Sequence, residues 1–136
     1  MLRRVDTSNS SAPPGVGGFA IVRRDLDERA CVISVDGELD LSTAPRLKWM
    51  LVDALDGGSC QVVVDLSNVT FMDSTALAVL VGVNRTLEPG TRLAIVCSRE
   101  KVLQIFEFSG TEGAFAIYPT LDRALAHARG ETAPAG

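Results

Sequence analysis

Val62-Val-Val-Asp-Leu-Ser-Asn-Val-Thr-Phe-Met-Asp-Ser-Thr-Ala-Leu-Ala-Val-Leu-Val-Gly82 is the stretch whose reading decides the fold. Val62, Val63 and Val64 form an unbroken β-branched run, which suits a central strand covered on both faces. Asp65 is expected to end that strand, and a turn follows. Asp73, Ser74 and Thr75 then start a helix, because an oxygen on any of these side chains can accept from a first-turn N–H that has no intrahelical partner. The helix is expected to run to about Leu87. From Ala76 through Val83 it has no polar position. Leu77, Leu80 and Val81 fit the face toward the sheet, while Ala76, Val79 and Val83 leave apolar surface that other helices or a protein partner must cover.

Outward from this centre, Phe19 to Arg24 and Ala30 to Asp36 read as an antiparallel hairpin across the polar turn Asp25 to Arg29. Gly37 to Asp40 turns the chain into a helix capped by Ser42 or Thr43, with Pro45 in its first turn and an end near Leu55. Ala44, Leu47, Leu51, Ala54 and Leu55 share its inner face; Arg46, Trp49 and Asp53 point outward. Trp49 there serves either as an interface anchor or as a surface for the N-terminal tail. Beyond the central helix come a strand from Arg92 to Cys97, a helix from Arg99 to Phe108 ended by Ser109 and Gly110, a strand from Phe115 to Tyr118, and a helix capped by Thr120 and running to about Arg129. In that last helix Leu121, Ala124 and Leu125 face inward.

The order β-β-α-β-α-β-α-β-α predicts an α/β domain: a mostly parallel sheet with an antiparallel edge strand and helices packed on it. Its expected limits are residues 19–129, between flexible tails at 1–18, rich in Ser, Pro and Gly, and at 130–136.

Composition narrows the function. A chain of 136 residues with 46% apolar content holds one domain with a substantial core. A net charge of −4 and a pI near 4.9 lack the basic stripe of a nucleic-acid binder and disfavour an anionic membrane surface. With no spanning run and no signal-type apolar segment after Met1, a cytoplasmic location is expected. Cys31, Cys60 and Cys97 are scattered, and His127 is the single histidine, so neither a disulfide framework nor a metal site is supported and no cofactor is expected. A serine nucleophile is disfavoured because His127 lies on the last helix and no Gly-x-Ser-x-Gly turn surrounds Ser74. Asp65 as a phospho-aspartate lacks the companion acidic cluster and lysine, since Lys48 and Lys101 are the only lysines.

Gly37-Glu-Leu-Asp40 followed by Thr43-Ala, together with Phe71-Met-Asp-Ser-Thr-Ala-Leu-Ala-Val-Leu-Val-Gly82, resembles the STAS domain family, and within it the bacterial anti-sigma factor antagonists. The similarity extends from about Phe19 to Arg129. It implies a non-enzymatic partner switch. An anti-sigma factor that is also a serine kinase, carrying its own ATP, phosphorylates Ser74; only the unphosphorylated form binds that kinase and frees the sigma factor; a PP2C-type phosphatase resets it. Thr75 is the competing acceptor. Asp40, Asp73, Ser74, Thr75, Ala76 and Val79 are the expected partner contacts, with Asp73 orienting the Ser74 hydroxyl or capping the helix. For Ser74 itself, plain N-capping is the structural alternative. The chain departs from the family at Ala76, where glycine is usual, and at Gly110-Thr-Glu-Gly113, where a more apolar segment is usual. A STAS scaffold that is not phosphorylated is the alternative reading.

Overall fold

The computed structural model describes residues 18–110 and 115–128. Five strands, β1 (Ala20–Asp25), β2 (Ala30–Leu39), β3 (Gln61–Met72), β4 (Arg92–Val96) and β5 (Ala116–Tyr118), form one sheet in the order β1-β2-β3-β4-β5. The β1–β2 pair is antiparallel and the other three pairs are parallel. The connecting helices are α1 (Ala44–Asp56), α2 (Ser74–Arg85) and α3 (Glu100–Phe108), and α4 (Leu121–Ala128) follows β5. This is the expected architecture. The expected tails at 1–18, apart from Gly18, and at 130–136 lie outside the described residues, as does most of the segment Gly110 to Gly113.

Alternation along β3 divides the core in two. Val62, Val64 and Leu66 meet the buried faces of α1, α2 and α3, through Leu47, Leu51, Leu77, Leu80, Val102 and Phe106 among others. Val63 faces the opposite way, joining Val32, Val96 and Ala124, with Leu121 and Leu125 of α4 packed against them. The valine run is therefore covered on both sides, as a central strand with period-two side chains requires.

One expectation about the strands fails. Asp65 does not end the central strand: β3 continues to Met72, and β2 continues past Asp36 to Leu39 beside it. The extra length is carried by two irregularities on β3. Asp65 and Asn68 face Ser34 and Asp36, and Val69 and Phe71 face Gly37 and Glu38, so β3 spends one additional residue at each place. At the first of them the Asp65 carboxylate accepts from the Ser67 N–H at 2.9 Å and from its hydroxyl at 2.5 Å. A local turn-like bond inside a strand is what makes Asp65 look like a terminus. Of the two covers left open for Ala76 and Val83, a neighbouring helix is the one found: both residues are buried, with α1 packed alongside α2.

Gly37 occupies the left-handed region, φ +100°, and a Cβ there would collide with the carbonyl of Gly18. Gly37→Ala is expected to destabilise the fold by about 1–3 kcal/mol, the cost of a strained backbone conformation. Urea unfolding checks this, since a midpoint shift without a slope change isolates stability.

Candidate functional site

Because β2 and β3 run parallel, their C-terminal ends emerge at the same pole, closing on the pair Leu39 and Met72. The Asp73 N–H donates to the Leu39 carbonyl at 3.1 Å, which ties the start of α2 to the loop after β2. Asp73 is extended, φ −108° and ψ 179°, and its carboxylate accepts from the Thr75 N–H at 2.9 Å and the Ala76 N–H at 3.1 Å. Asp73 is thus the cap, and Ser74 is the first helical residue. The N-capping alternative for Ser74 is overturned. Its side chain stands exposed, and among the described residues it makes no hydrogen bond. Thr75 is half-buried.

Asp40 lies across the Leu39 link. Its carboxylate accepts from the Ser42 hydroxyl at 2.7 Å, the Ser42 N–H at 2.9 Å and the Thr43 N–H at 3.3 Å. The Ser42 hydroxyl, then the Ser42 amide, hold this carboxyl below the usual carboxylate range. Thr43 does not cap α1 with its side chain as expected. Its hydroxyl instead donates to the Glu38 carbonyl at 2.8 Å and accepts from the Asp40 N–H at 2.9 Å. The loop is thereby held rigid by its own side chains. Asp36 and Glu38 are exposed near it, so the pole is acidic.

Apolar groups rim this acidic pole. Leu41, two residues after Leu39, is 73% exposed, and Phe71, two residues before Asp73, is 49% exposed. Down α2 from Ser74 the outward face is Ala78 and then Gly82, both exposed, flanked by half-buried Val79 and Val81. Of the expected contacts, Asp40, Asp73, Ser74 and Thr75 come together. Val79 lies on the shoulder of the face. The Ala76 methyl is fully buried, so this residue reaches the tip only through its N–H. Hydrophobicity alone does not single out Ala78 and Gly82 as the exposed positions of α2; counting fours from Ser74 does.

The remaining reactive groups lie elsewhere. Cys31 and Cys97 are buried, and burial pushes both thiols up. Cys60 accepts from the Arg29 Nε–H at 3.3 Å, away from the α2 tip. Among the described residues no group of three or more His, Cys, Asp or Glu side chains is placed to hold a metal ion, and no helix is long and apolar enough to cross a membrane.

Residues 22–124 match the sequence profile of the STAS domain. The chain belongs to the STAS domain family. Among its STAS relatives, the anti-sigma-B factor antagonist of Staphylococcus epidermidis is 37% identical over 79 residues, 57% of this chain and 73% of the relative. An anti-sigma factor antagonist from Mycobacterium paratuberculosis superimposes with a TM-score of 0.79 at 30% identity, covering 85% of this chain and 97% of that one. SpoIIAA in its unphosphorylated form gives 0.72 at 23% identity over 84% and 100% of the two chains. The phosphorylated form of SpoIIAA, from Bacillus, gives 0.63 at 22% identity over 79% and 98%.

Proposed function

We propose that this STAS protein is an anti-sigma factor antagonist that acts as a partner switch. Unphosphorylated, it binds an anti-sigma factor that is also a serine kinase, and so releases the sigma factor; phosphate on Ser74, supplied from the partner's ATP, ends that binding; a PP2C-type phosphatase restores it. The observation that carries this reading is the exposed Ser74 hydroxyl at the first position of α2, released from capping because Asp73 takes both helix-start amides. A kinase can reach such a hydroxyl without unfolding anything. The acceptor's proton leaves to a carboxylate of the kinase, as in other phosphoryl transfers where a protein carboxylate accepts the hydroxyl proton.

The acidic pole favours a partner with a basic patch, and the Leu41, Phe71, Ala78 and Gly82 rim favours one that excludes water around it. Both forms of SpoIIAA share this fold, which supports a modification that changes the surface and leaves the domain folded. Phosphate adds about −1.5 to −2 charge at neutral pH. Two of the donors at the helix start, the Thr75 and Ala76 amides, are already bonded to Asp73, so the added charge meets a like charge where those amides would otherwise be free.

Incubation with the cognate kinase and labelled ATP tests the assignment. Label is expected on wild type and on Thr75→Ala, and none on Ser74→Ala, which still binds the kinase. Peptide mass spectrometry placing the phosphate on Thr75 would overturn the acceptor, and unlabelled wild type captured in a large complex would favour the unphosphorylated scaffold.

A further inference from the structure

Arg46, Trp49, Asp53 and Asp56 recur at i, i+3, i+7 and i+10 and share one ridge of α1. The ridge is charged against its own helix. Arg46 sits in the first turn and Asp53 and Asp56 in the last, with no acidic residue in the first turn and no basic one in the last, the reverse of what the helix dipole favours. Neither Arg46 nor Asp56 has an ion pair among the described residues. Arg46 and Asp53, one heptad apart, fall within about 20° of each other around the axis, on the flank toward β1. There the Arg46 guanidinium lies 5.2 Å from the centroid of the Phe19 ring, and Arg23 donates to Asp53 Oδ2 at 3.3 Å. Trp49 stands beside their midpoint, 67% exposed, with Val52 40% exposed next to it.

We propose that this ridge is the interface of a homodimer, in which α1 packs antiparallel on α1 of a second copy about a two-fold axis passing beside Trp49. Such an axis sets each flank of the helix against the same flank of the other copy. Arg46, about 5 Å along the helix axis from the midpoint, then meets Asp53 of the partner subunit at the same level, and symmetry forms the converse pair. The two Trp49 rings and the Val52 side chains close the centre. Asp56 comes over the positive start of the opposite α1 and Arg46 over its negative end, so charges that oppose their own helix complement the other one. This self-complementarity selects a second copy over an unrelated partner: a basic end, an apolar middle and an acidic end are spaced evenly about one point. The net charge of −4 opposes association only weakly, because exposed charges more than about 8 Å apart are largely screened at physiological ionic strength. A single helix ridge buries less than the roughly 1,200 Å² at which standard interfaces begin, so the dimer is weak and dissociates on dilution.

Sedimentation equilibrium of the full chain, from micromolar to millimolar concentration, tests this. The weight-average mass is expected to rise from 14.4 kDa toward twice that value. The emission of Trp49, the only tryptophan, is expected to shift to the blue over the same range. Trp49→Ala is expected to weaken association by at least about tenfold, as for an aromatic anchor at the centre of an interface. Arg46→Glu and Asp53→Arg each set two like-charged pairs across the axis and are expected to stay monomeric where wild type is half dimeric. An equimolar mixture of those two variants restores both opposite-charge pairs and is expected to dimerise again, which also shows that both are folded. A wild-type mass of one chain at millimolar concentration overturns the proposal, as does a dimer that survives either charge reversal alone or a mixture no better associated than its components. Trp49 shielded from acrylamide at every concentration in a monomeric chain overturns it too, and assigns the ridge to another part of the same chain.

Discussion

Ser74→Glu is expected to weaken binding of the anti-sigma factor partner by about a thousandfold, equivalent to about 4 kcal/mol, while the urea midpoint stays within error of wild type. The two halves of this result have separate causes. Within the domain, a carboxylate at the first turn of α2 sits at the positive end of the helix, where a negative side chain stabilises by about 0.3–1 kcal/mol. Repulsion from Asp73 offsets part of that gain, and Ser74 is exposed, so the folded state tolerates the change. At the interface the charge would be taken from water into the rim formed by Leu41, Phe71, Ala78 and Gly82. The Thr75 and Ala76 amides that could solvate it are held by Asp73 at 2.9 and 3.1 Å. An unmatched buried charge costs several kcal/mol, which exceeds what the exposed pole returns through screened attraction to a basic partner. Ser74→Gln separates charge from bulk. It is expected to bind within about tenfold of wild type, and calorimetric titration of the purified partner measures both variants. A glutamate variant binding as tightly as wild type removes the switch, whatever the labelling shows.

The sequence carried the order of elements because each has a period or a stop that needs no tertiary information. The β-branched run at Val62, the hydrophobic fours of α1 and the Ser109–Gly110 stop of α3 are all local. Where local chemistry competes with pairing, it misled. Asp65 bonds Ser67 as it would in a turn, yet β3 passes straight through, since β2 offers partners out to Leu39. Asp73, Ser74 and Thr75 were equivalent as helix starters on paper. Only the Asp73 N–H bond to the Leu39 carbonyl, a contact between distant residues, fixes which one is extended and therefore caps. For the same reason the apolar length of α2 announced two covered sides without saying which residues stay outside. Ala76 and Val83 went under α1, and Ala78 and Gly82 remained exposed.

That division of α2 yields the largest expected effect on the domain itself. Leu80 is fully buried between α2 and the sheet, and Leu80→Ala is expected to cost about 2–5 kcal/mol, the lost transfer energy plus the cavity left behind. Against a typical total of about 5–15 kcal/mol, that takes the protein close to its unfolding threshold at physiological temperature. Partner binding should fall with it, in proportion to the folded fraction, and recover when the variant is cooled toward maximum stability. Ala78→Arg lies two residues away on the opposite face. There the unfolding midpoint should move by no more than about 0.5 kcal/mol, because an exposed arginine on a helix replaces no packing, whereas binding should drop at every temperature since the long charged side chain stands where the partner closes over Ser74. Unfolding curves and binding isotherms measured on both variants give a crossed pattern: stability lost first in one, affinity lost alone in the other. If Ala78→Arg binds normally, the partner does not dock along this face, and the exposed rim beside Ser74 is reached from the Leu41 side instead.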